Sequence, residues 1–127
     1  MSNVPDGLRY TKDHEWAKLE GGRARVGITD HAQSELTDVV YVELPPIGKV
    51  VKPGEPIGTV ESVKAVSEIF APVAGKVVEV NKSLEEKPET VNKDPYGQGW
   101  MVVLETSAPV DSKALMDAAS YRRHIGE

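Results

Sequence analysis

A lysine stands at the centre of a mirror-symmetric segment and is the first candidate for chemistry in this chain. Residues 61–68 read Glu-Ser-Val-Lys-Ala-Val-Ser-Glu. Mirror symmetry is typical of a β-hairpin, because residues directly opposite each other on an antiparallel ladder then share a type. The pattern predicts a type I turn at Lys64 and Ala65 with three facing pairs: Val63 with Val66, Ser62 with Ser67 and Glu61 with Glu68.

Lys64 at such a turn is accessible to a modifying enzyme. An unperturbed lysine has a pKa of about 10.4, and the segment supplies neither burial nor a neighbouring cation that would lower it. Schiff-base catalysis by Lys64 is therefore not expected, whereas a separate ligase could acylate its amine. A turn lysine is more often a solvated surface charge, so the segment alone leaves both interpretations open.

The two glutamates that flank the segment are the next candidates. Like charges facing each other on a hairpin cost up to about 1 kcal/mol, which invites an explanation. Glu61 and Glu68 either attract a cationic ligand or a basic partner, or splay apart into water.

The histidines give no basis for a metal site. His14, His31 and His124 show neither H-E-x-x-H nor H-x-x-H spacing, and there is no cysteine to join them. His14 beside Glu15, and Asp30 beside His31, could form acid–base pairs, so an enzyme that uses one of these histidines as a base is one interpretation. Neither a nucleophile elbow nor a complete dinucleotide-binding glycine motif occurs.

The composition limits the class of protein. A chain of 127 residues with 39% hydrophobic and 28% charged residues fits one globular domain, here 1–127, which we expect to be monomeric. The net charge of −5 argues against nucleic-acid binding. The absence of cysteine suits a reducing compartment, and neither a membrane span nor a transit peptide is recognisable. We therefore expect a cytoplasmic protein.

Short strands and turns must position Lys64. Valine-rich stretches between glycines and prolines predict a mainly β fold with few helices. The Gly-Lys-Val-Val of residues 48–51 recurs at 75–78, which suggests two similar strand units. The sequence predicts strands at 14–19, 23–28, 39–44 and 100–105, a helix from Asp30 through Leu36, a helical turn at 82–86, a core hairpin region of about 39–105 and a C-terminal helix at about 112–125.

The segment around Lys64 resembles the lipoylation segment of the glycine cleavage system H protein family. The resemblance extends from about Gly7 to the final helix. It includes, in order, His14-Glu15-Trp16, the run from Gly27 to Gln33, Val42-Glu43-Leu44-Pro45, the run from Ala71 to Gly75, and the run from Asp94 to Trp100.

This resemblance implies a fold, a cofactor and a set of partners. The fold is a barrel-sandwich hybrid of the lipoyl-domain type, with two small antiparallel sheets and short helices in the N-terminal half and at the C-terminus. The cofactor is lipoic acid on Lys64, attached by a lipoate ligase or lipoyltransferase. The chain would catalyse nothing itself and would shuttle between a pyridoxal-phosphate glycine decarboxylase, an aminomethyltransferase and dihydrolipoyl dehydrogenase.

The resemblance also implies carboxylates near the loaded arm, whose aminomethyl cargo is cationic and sensitive to water. The positions that match the family pattern are Glu15, Glu35, Glu68 and His31. Relatives often have aspartate at position 68 and a different side chain at position 35, so the reach of these contacts differs in this chain.

Two other carriers are rival interpretations. A lipoyl domain of a 2-oxoacid dehydrogenase complex shares the hairpin lysine, but it is usually one module of a larger chain and lacks the motifs around His14 and Tyr96. A biotinyl carrier would have methionines beside its lysine, where this sequence has Val63 and Ala65.

Overall fold

The computed structural model describes residues 3–106 and 115–126. Within them the chain forms nine strands and four helices. The strands are β1 (Arg9–Tyr10), β2 (Glu15–Glu20), β3 (Arg23–Ile28), β4 (Val39–Glu43), β5 (Val50–Val51), β6 (Pro56–Ser62), β7 (Val66–Phe70), β8 (Gly75–Val80) and β9 (Val102–Glu105). The helices are α1 (Asp30–Leu36), α2 (Ser83–Glu86), α3 (Thr90–Lys93) and α4 (Ala118–His124).

Two antiparallel sheets make up most of the fold. One has six strands in the order β1-β2-β3-β9-β8-β5, and the other has three in the order β4-β6-β7. Both contribute to one buried apolar cluster, which includes Val26 and Leu104 from the larger sheet and Val60 and Ile69 from the smaller. The expectation of a mainly β fold with two small antiparallel sheets and few short helices is therefore confirmed.

The repeated Gly-Lys-Val-Val segments pair with each other. Val50 lies opposite Lys76 and Val51 opposite Gly75 in the β5–β8 ladder. A Cβ added to Gly75 would lie 2.8 Å from the carbonyl oxygen of Glu105, so the close approach of β9 requires glycine at this position. The repeat thus marks two strands that meet at one edge of the larger sheet.

The first helix begins as its sequence predicts. The Thr29 side chain accepts a hydrogen bond from the Ala32 amide at 3.1 Å, which satisfies one of the free N–H groups of the first turn of α1. The helix ends at Leu36, as expected.

The C-terminal helix is shorter than its predicted range of about 112–125. Residues 112–114 lie outside the described part of the chain. Met116 is extended and pairs with Tyr10, and the Asp117 carboxylate caps α4 by accepting a hydrogen bond from the Ser120 amide at 2.8 Å. The pairing with β1 therefore delays the start of the helix to Ala118.

A second buried cluster packs α4 against β1 and β2 of the larger sheet. Its aromatic members are Tyr10, Trp16 and Tyr121, and the rings of Tyr10 and Tyr121 stack with centroids 4.7 Å apart. A Cβ on Gly27 would meet the Trp16 ring at 2.8 Å, which explains the glycine opposite this tryptophan.

None of the helices in the described residues is long and apolar enough to cross a membrane.

Candidate functional site

The predicted hairpin exists, but its register differs from the mirror pattern. In the β6–β7 ladder Glu61 lies opposite Val66, Val60 opposite Ser67 and Thr59 opposite Glu68. The three predicted pairs are therefore wrong, and so is the turn at Lys64 and Ala65, because Val63 and Lys64 occupy it. The expected repulsion between facing glutamates does not arise.

Ser62 explains this register. Its hydroxyl accepts hydrogen bonds from the amides of Lys64 at 3.3 Å and Ala65 at 3.1 Å, while its own amide donates to the Ala65 carbonyl at 2.8 Å. The Val63 amide donates to the Asp38 carbonyl at 3.0 Å, which ties the turn to the residue before β4. Serine is favoured at the first position of a turn, and that signal predicts the observed register better than the mirror symmetry does.

Lys64 stands at the exposed tip of this hairpin. Its ammonium group makes neither an ion pair nor a hydrogen bond with any of the described residues. Val63 and Val66 beside it are 68% and 64% exposed. An accessible amine between two exposed apolar side chains is suited to covalent acylation and to contact with an apolar chain attached there.

A cleft of about 500 Å³ lies where the far end of β7 meets β1 and the start of β2. The residues that line it include Tyr10, Glu15, Phe70, Leu115 and Met116. Most of the lining is apolar, and its charged residues are Lys12 and Asp13, which are exposed, and Glu15, which is buried. A mainly apolar cleft with one buried carboxylate can hold a small cationic group away from water.

Glu15 is the buried carboxylate of this cleft, and it is only 1% exposed. The Thr11 hydroxyl donates a hydrogen bond to it at 2.6 Å and the Phe70 amide donates another at 3.3 Å. Burial raises the pKa of Glu15 from 4.5 to about 7, and these two hydrogen bonds oppose the rise. Glu15 can therefore be either neutral or ionised near neutral pH, and a cationic group in the cleft would favour its ionised form.

The strand β7 connects this cleft with the hairpin tip. Ile69 is buried, so Glu68 and Phe70 on either side of it face the opposite side of the strand. Glu68 is exposed, and it is not among the residues that line the cleft. Lys64 lies six residues from Phe70, a separation of at most about 20 Å along an extended chain.

Glu35 and His31 lie together on α1, apart from the cleft lining. The Glu35 carboxylate is 3.7 Å from Nε2 of His31, and its side chain is 70% exposed. The structure therefore places Glu15 in the cleft, places Glu68 between the cleft and Lys64, and groups Glu35 with His31.

Sequence reasoning missed Thr11 and the grouping of the histidines. Thr11 binds the Glu15 carboxylate, and its position four residues earlier in a loop gives no periodic signal. The rings of His31 and His124 each lie within 6 Å of the ring of His14. These residues come from a loop and two helices, so only the tertiary fold reveals that they are neighbours.

The two antiparallel sheets and the exposed lysine at a hairpin tip match the architecture expected of a lipoyl-domain-like carrier protein. A solved structure supports this class: the glycine cleavage system H protein of Mycobacterium marinum superposes with a TM-score of 0.89 and 39% identity, over 98% of this chain and 100% of that one. The barrel-sandwich architecture expected from the sequence is thereby confirmed.

Sequence comparisons identify the family. The family model for glycine cleavage H-protein matches residues 8–127. The glycine cleavage system H protein of Anaeromyxobacter sp. strain K is 58% identical over 124 residues, covering 98% of this chain and 97% of that protein. The one from Halalkalibacterium halodurans is 54% identical over 127 residues, covering 100% and 99%. The chain belongs to the glycine cleavage H-protein family, whose members are lipoyl carriers.

Proposed function

We propose that Lys64 carries lipoic acid in an amide bond and that the chain serves the glycine cleavage system as a carrier with no catalytic activity of its own. The observation that carries this proposal is the exposed Lys64 amine at a hairpin tip, in a chain that matches the family over residues 8–127. The lipoyl group supplies a pair of sulfur atoms that takes up an aminomethyl group and is later reoxidised. A cysteine-free chain cannot supply such a pair itself.

The proposed partners are enzymes that act on the lipoyl arm in turn. Glycine decarboxylase loads the arm, aminomethyltransferase unloads it, dihydrolipoyl dehydrogenase restores it, and a lipoate ligase or lipoyltransferase attaches it in the first place. Tethering the arm to an exposed turn raises its effective concentration at each of these enzymes, because the turn can enter an active site while the rest of the domain stays outside. The absence of cysteine suits a reducing compartment such as the cytoplasm.

The cleft around Glu15 is the proposed resting place of the loaded arm. The side of β7 that bears Val66, Glu68 and Phe70 leads from the tip to this cleft. Glu15 would pair with the cationic end of the cargo, and Phe70, Leu115 and Met116 would exclude water from it. Glu68 would contact the arm along the way. Contacts from Glu35 and His31 remain predictions, because neither residue lines the cleft.

A reconstituted exchange reaction tests the carrier role. With glycine decarboxylase and labelled bicarbonate, the lipoylated chain should support exchange of label into glycine, and Lys64→Arg should support none. Circular dichroism should show that Lys64→Arg is folded. Activity that survives in this variant would favour an enzyme that uses His14 or His31 as a base, and would contradict the carrier.

The lifetime of the loaded form tests the role of the cleft. Glu15→Gln should release the cargo to water faster than the native chain does, because the amide cannot neutralise a cation. Glu43→Gln changes an exposed carboxylate on β4 and is the matched control, with an expected lifetime equal to that of the native chain. Equal lifetimes for all three proteins would refute the sheltering role of Glu15 and leave the carrier role intact.

A further inference from the structure

The chain's three histidines, which are far apart in the sequence, meet in one cluster. His14 lies in the loop before β2, His31 is in the first turn of α1, and His124 is the last residue of α4. The His14 ring centroid is 4.7 Å from that of His31 and 5.7 Å from that of His124. The proposed carrier function uses none of these contacts.

The cluster is joined to the packing of α4 through Tyr121. The Tyr121 hydroxyl is 2.8 Å from Nδ1 of His14 and 2.7 Å from Oγ1 of Thr29, the residue that caps α1. The Tyr121 ring is fully buried and stacks on Tyr10. His124 is the last residue of α4, and its Nε2 is 3.1 Å from the carbonyl oxygen of Lys12. A change in the charge of His14 therefore acts directly on the contacts that hold this helix.

The same helix stabilises one wall of the cleft. Met116 exchanges two backbone hydrogen bonds with Tyr10, of 2.8 and 2.9 Å, and both Leu115 and Met116 line the same cleft as Glu15. The helix α4 begins at Ala118, two residues later. Leu115 packs against the main buried cluster and Met116 against the cluster that contains Tyr121, so undocking of α4 would remove part of the packing of Met116.

The surroundings of His14 disfavour its protonation. Burial lowers the pKa of His14, and the imidazoles of His31 on α1 and His124 on α4 lower it further. The charged groups that oppose this effect are the carboxylates of Asp13 on the same loop and Glu35 on α1. Both carboxylates are exposed to solvent, which screens them.

We infer that the histidine cluster is a pH-operated latch in which His14 is the titrating group: its neutral imidazole holds α4 against the body, and its protonation releases α4 and loosens the cleft wall at Met116. The direction follows from linkage. A histidine whose pKa is lowered in the docked state binds fewer protons there than after release, so docking is favoured above the ordinary histidine pKa of about 6.5 and is lost as the pH falls below it. The latch does not depend on whether Lys64 is modified.

Hydrogen exchange of the native chain tests the latch. The amides of Tyr121 and Ile125 donate to Asp117 and Tyr121 within α4. If His14 stays neutral while docked, the opening constant of these amides should rise about tenfold between pH 7.5 and pH 5.5, after correction for intrinsic exchange. Amides of the β2–β3 ladder should not lose protection as the pH falls over the same range, because protonation of Glu15, whose pKa burial raises to about 7, stabilises the fold. Unchanged protection in α4, or an equal loss in both regions, would overturn the inference.

Two asparagine variants distinguish the effect of the His14 imidazole from the effect of a strained backbone conformation. His14 has a φ of 70°, and asparagine tolerates this left-handed conformation. His14→Asn should abolish the pH dependence of α4 exchange. Thr37, with a φ of 64°, is the only other non-glycine residue with positive φ among those the structure describes, and Thr37→Asn should keep the dependence.

If His14→Asn does not fold, an NMR titration of the native chain still tests the latch. The His14 ring proton signal in an NMR titration should have its midpoint below pH 6.5, and the Met116 methyl and Tyr121 ring signals should change with the same midpoint. A His14 midpoint at or above 6.5, or Met116 and Tyr121 signals that do not follow it, would refute the latch.

Discussion

Replacing Glu15 by glutamine should remove a pH-dependent destabilisation of the fold. The Glu15 carboxyl is almost completely buried, and burial raises its pKa from 4.5 to about 7. Glutamine has nearly the same shape but cannot ionise. Any effect of the substitution that varies with pH therefore reports the charge of Glu15 and not its packing.

The magnitude follows from the change in pKa. Raising the pKa from 4.5 to about 7 makes ionisation less favourable in the folded chain than in the unfolded chain by about 3 kcal/mol. Because the folded state binds more protons between these two values, the free energy of unfolding of the native chain should fall as the pH rises through this window. Relative to the native chain, Glu15→Gln should gain about 2.5 kcal/mol between about pH 5 and about pH 8.

Urea denaturation followed by tryptophan fluorescence measures this difference. The substitution also disturbs the hydrogen bonds to Thr11 and Phe70, which shifts the free energy of unfolding by about 1 kcal/mol at every pH. The exposed Glu43→Gln is the control, and its difference from the native chain should be independent of pH. If the Glu15→Gln difference is equally flat between pH 5 and pH 8, the carboxyl is not desolvated and the reasoning fails.

The hairpin and the aromatic cluster give two further predictions. Ser62→Ala should lower the free energy of opening the turn by about 1 kcal/mol, so hydrogen exchange of the Lys64 and Ala65 amides should be about fivefold faster. The same variant should slow the acylation of Lys64. The control is Ser67→Ala, because the Ser67 hydroxyl makes no hydrogen bond with any described residue. This variant should change neither the amide exchange nor the acylation of Lys64. Similar effects of the two variants would show that Ser62 does not set the turn. Gly27→Ala should lower the free energy of unfolding by about 1–3 kcal/mol in the same denaturation assay, since the added Cβ would lie 2.8 Å from the Trp16 ring. An unchanged midpoint would show that Trp16 can move.

Local sequence signals predicted the elements of this fold well. The helical pattern located α1 at Asp30–Leu36, and the strand pattern located strands at 14–19 and 23–28, within one residue of β2 and β3. Both signals act within a few residues, so tertiary contacts do not override them. The Lys64 hairpin was recognisable for the same reason.

The parts that were missed depend on contacts between distant segments. The mirror symmetry of residues 61–68 suggested the wrong register because it treats identical side chains as partners, whereas the hydroxyl of Ser62 and the carbonyl of Asp38 fix the turn. The C-terminal helix starts late because Met116 pairs with Tyr10, more than a hundred residues earlier in the chain.

In the candidate site, too, local sequence predicts some features and contacts between distant segments determine the others. Lys64 was found from its local segment, and Glu15 was proposed only through the resemblance to a family. The burial of Glu15, its contact with Thr11 and its place in a cleft that Leu115 and Met116 also line depend on the tertiary structure. Glu35 and His31 matched the family by position, but the fold places them beside His14 and not in the cleft lining.

Intact mass after treatment with a lipoate ligase and lipoate tests the central claim most directly. The native chain should gain the mass of one lipoyl group, and so should Lys76→Arg, which changes an exposed lysine on the other sheet. Lys64→Arg should gain none. A native chain that a competent ligase leaves unmodified, or a Lys64→Arg chain that still gains one lipoyl group, would contradict the account.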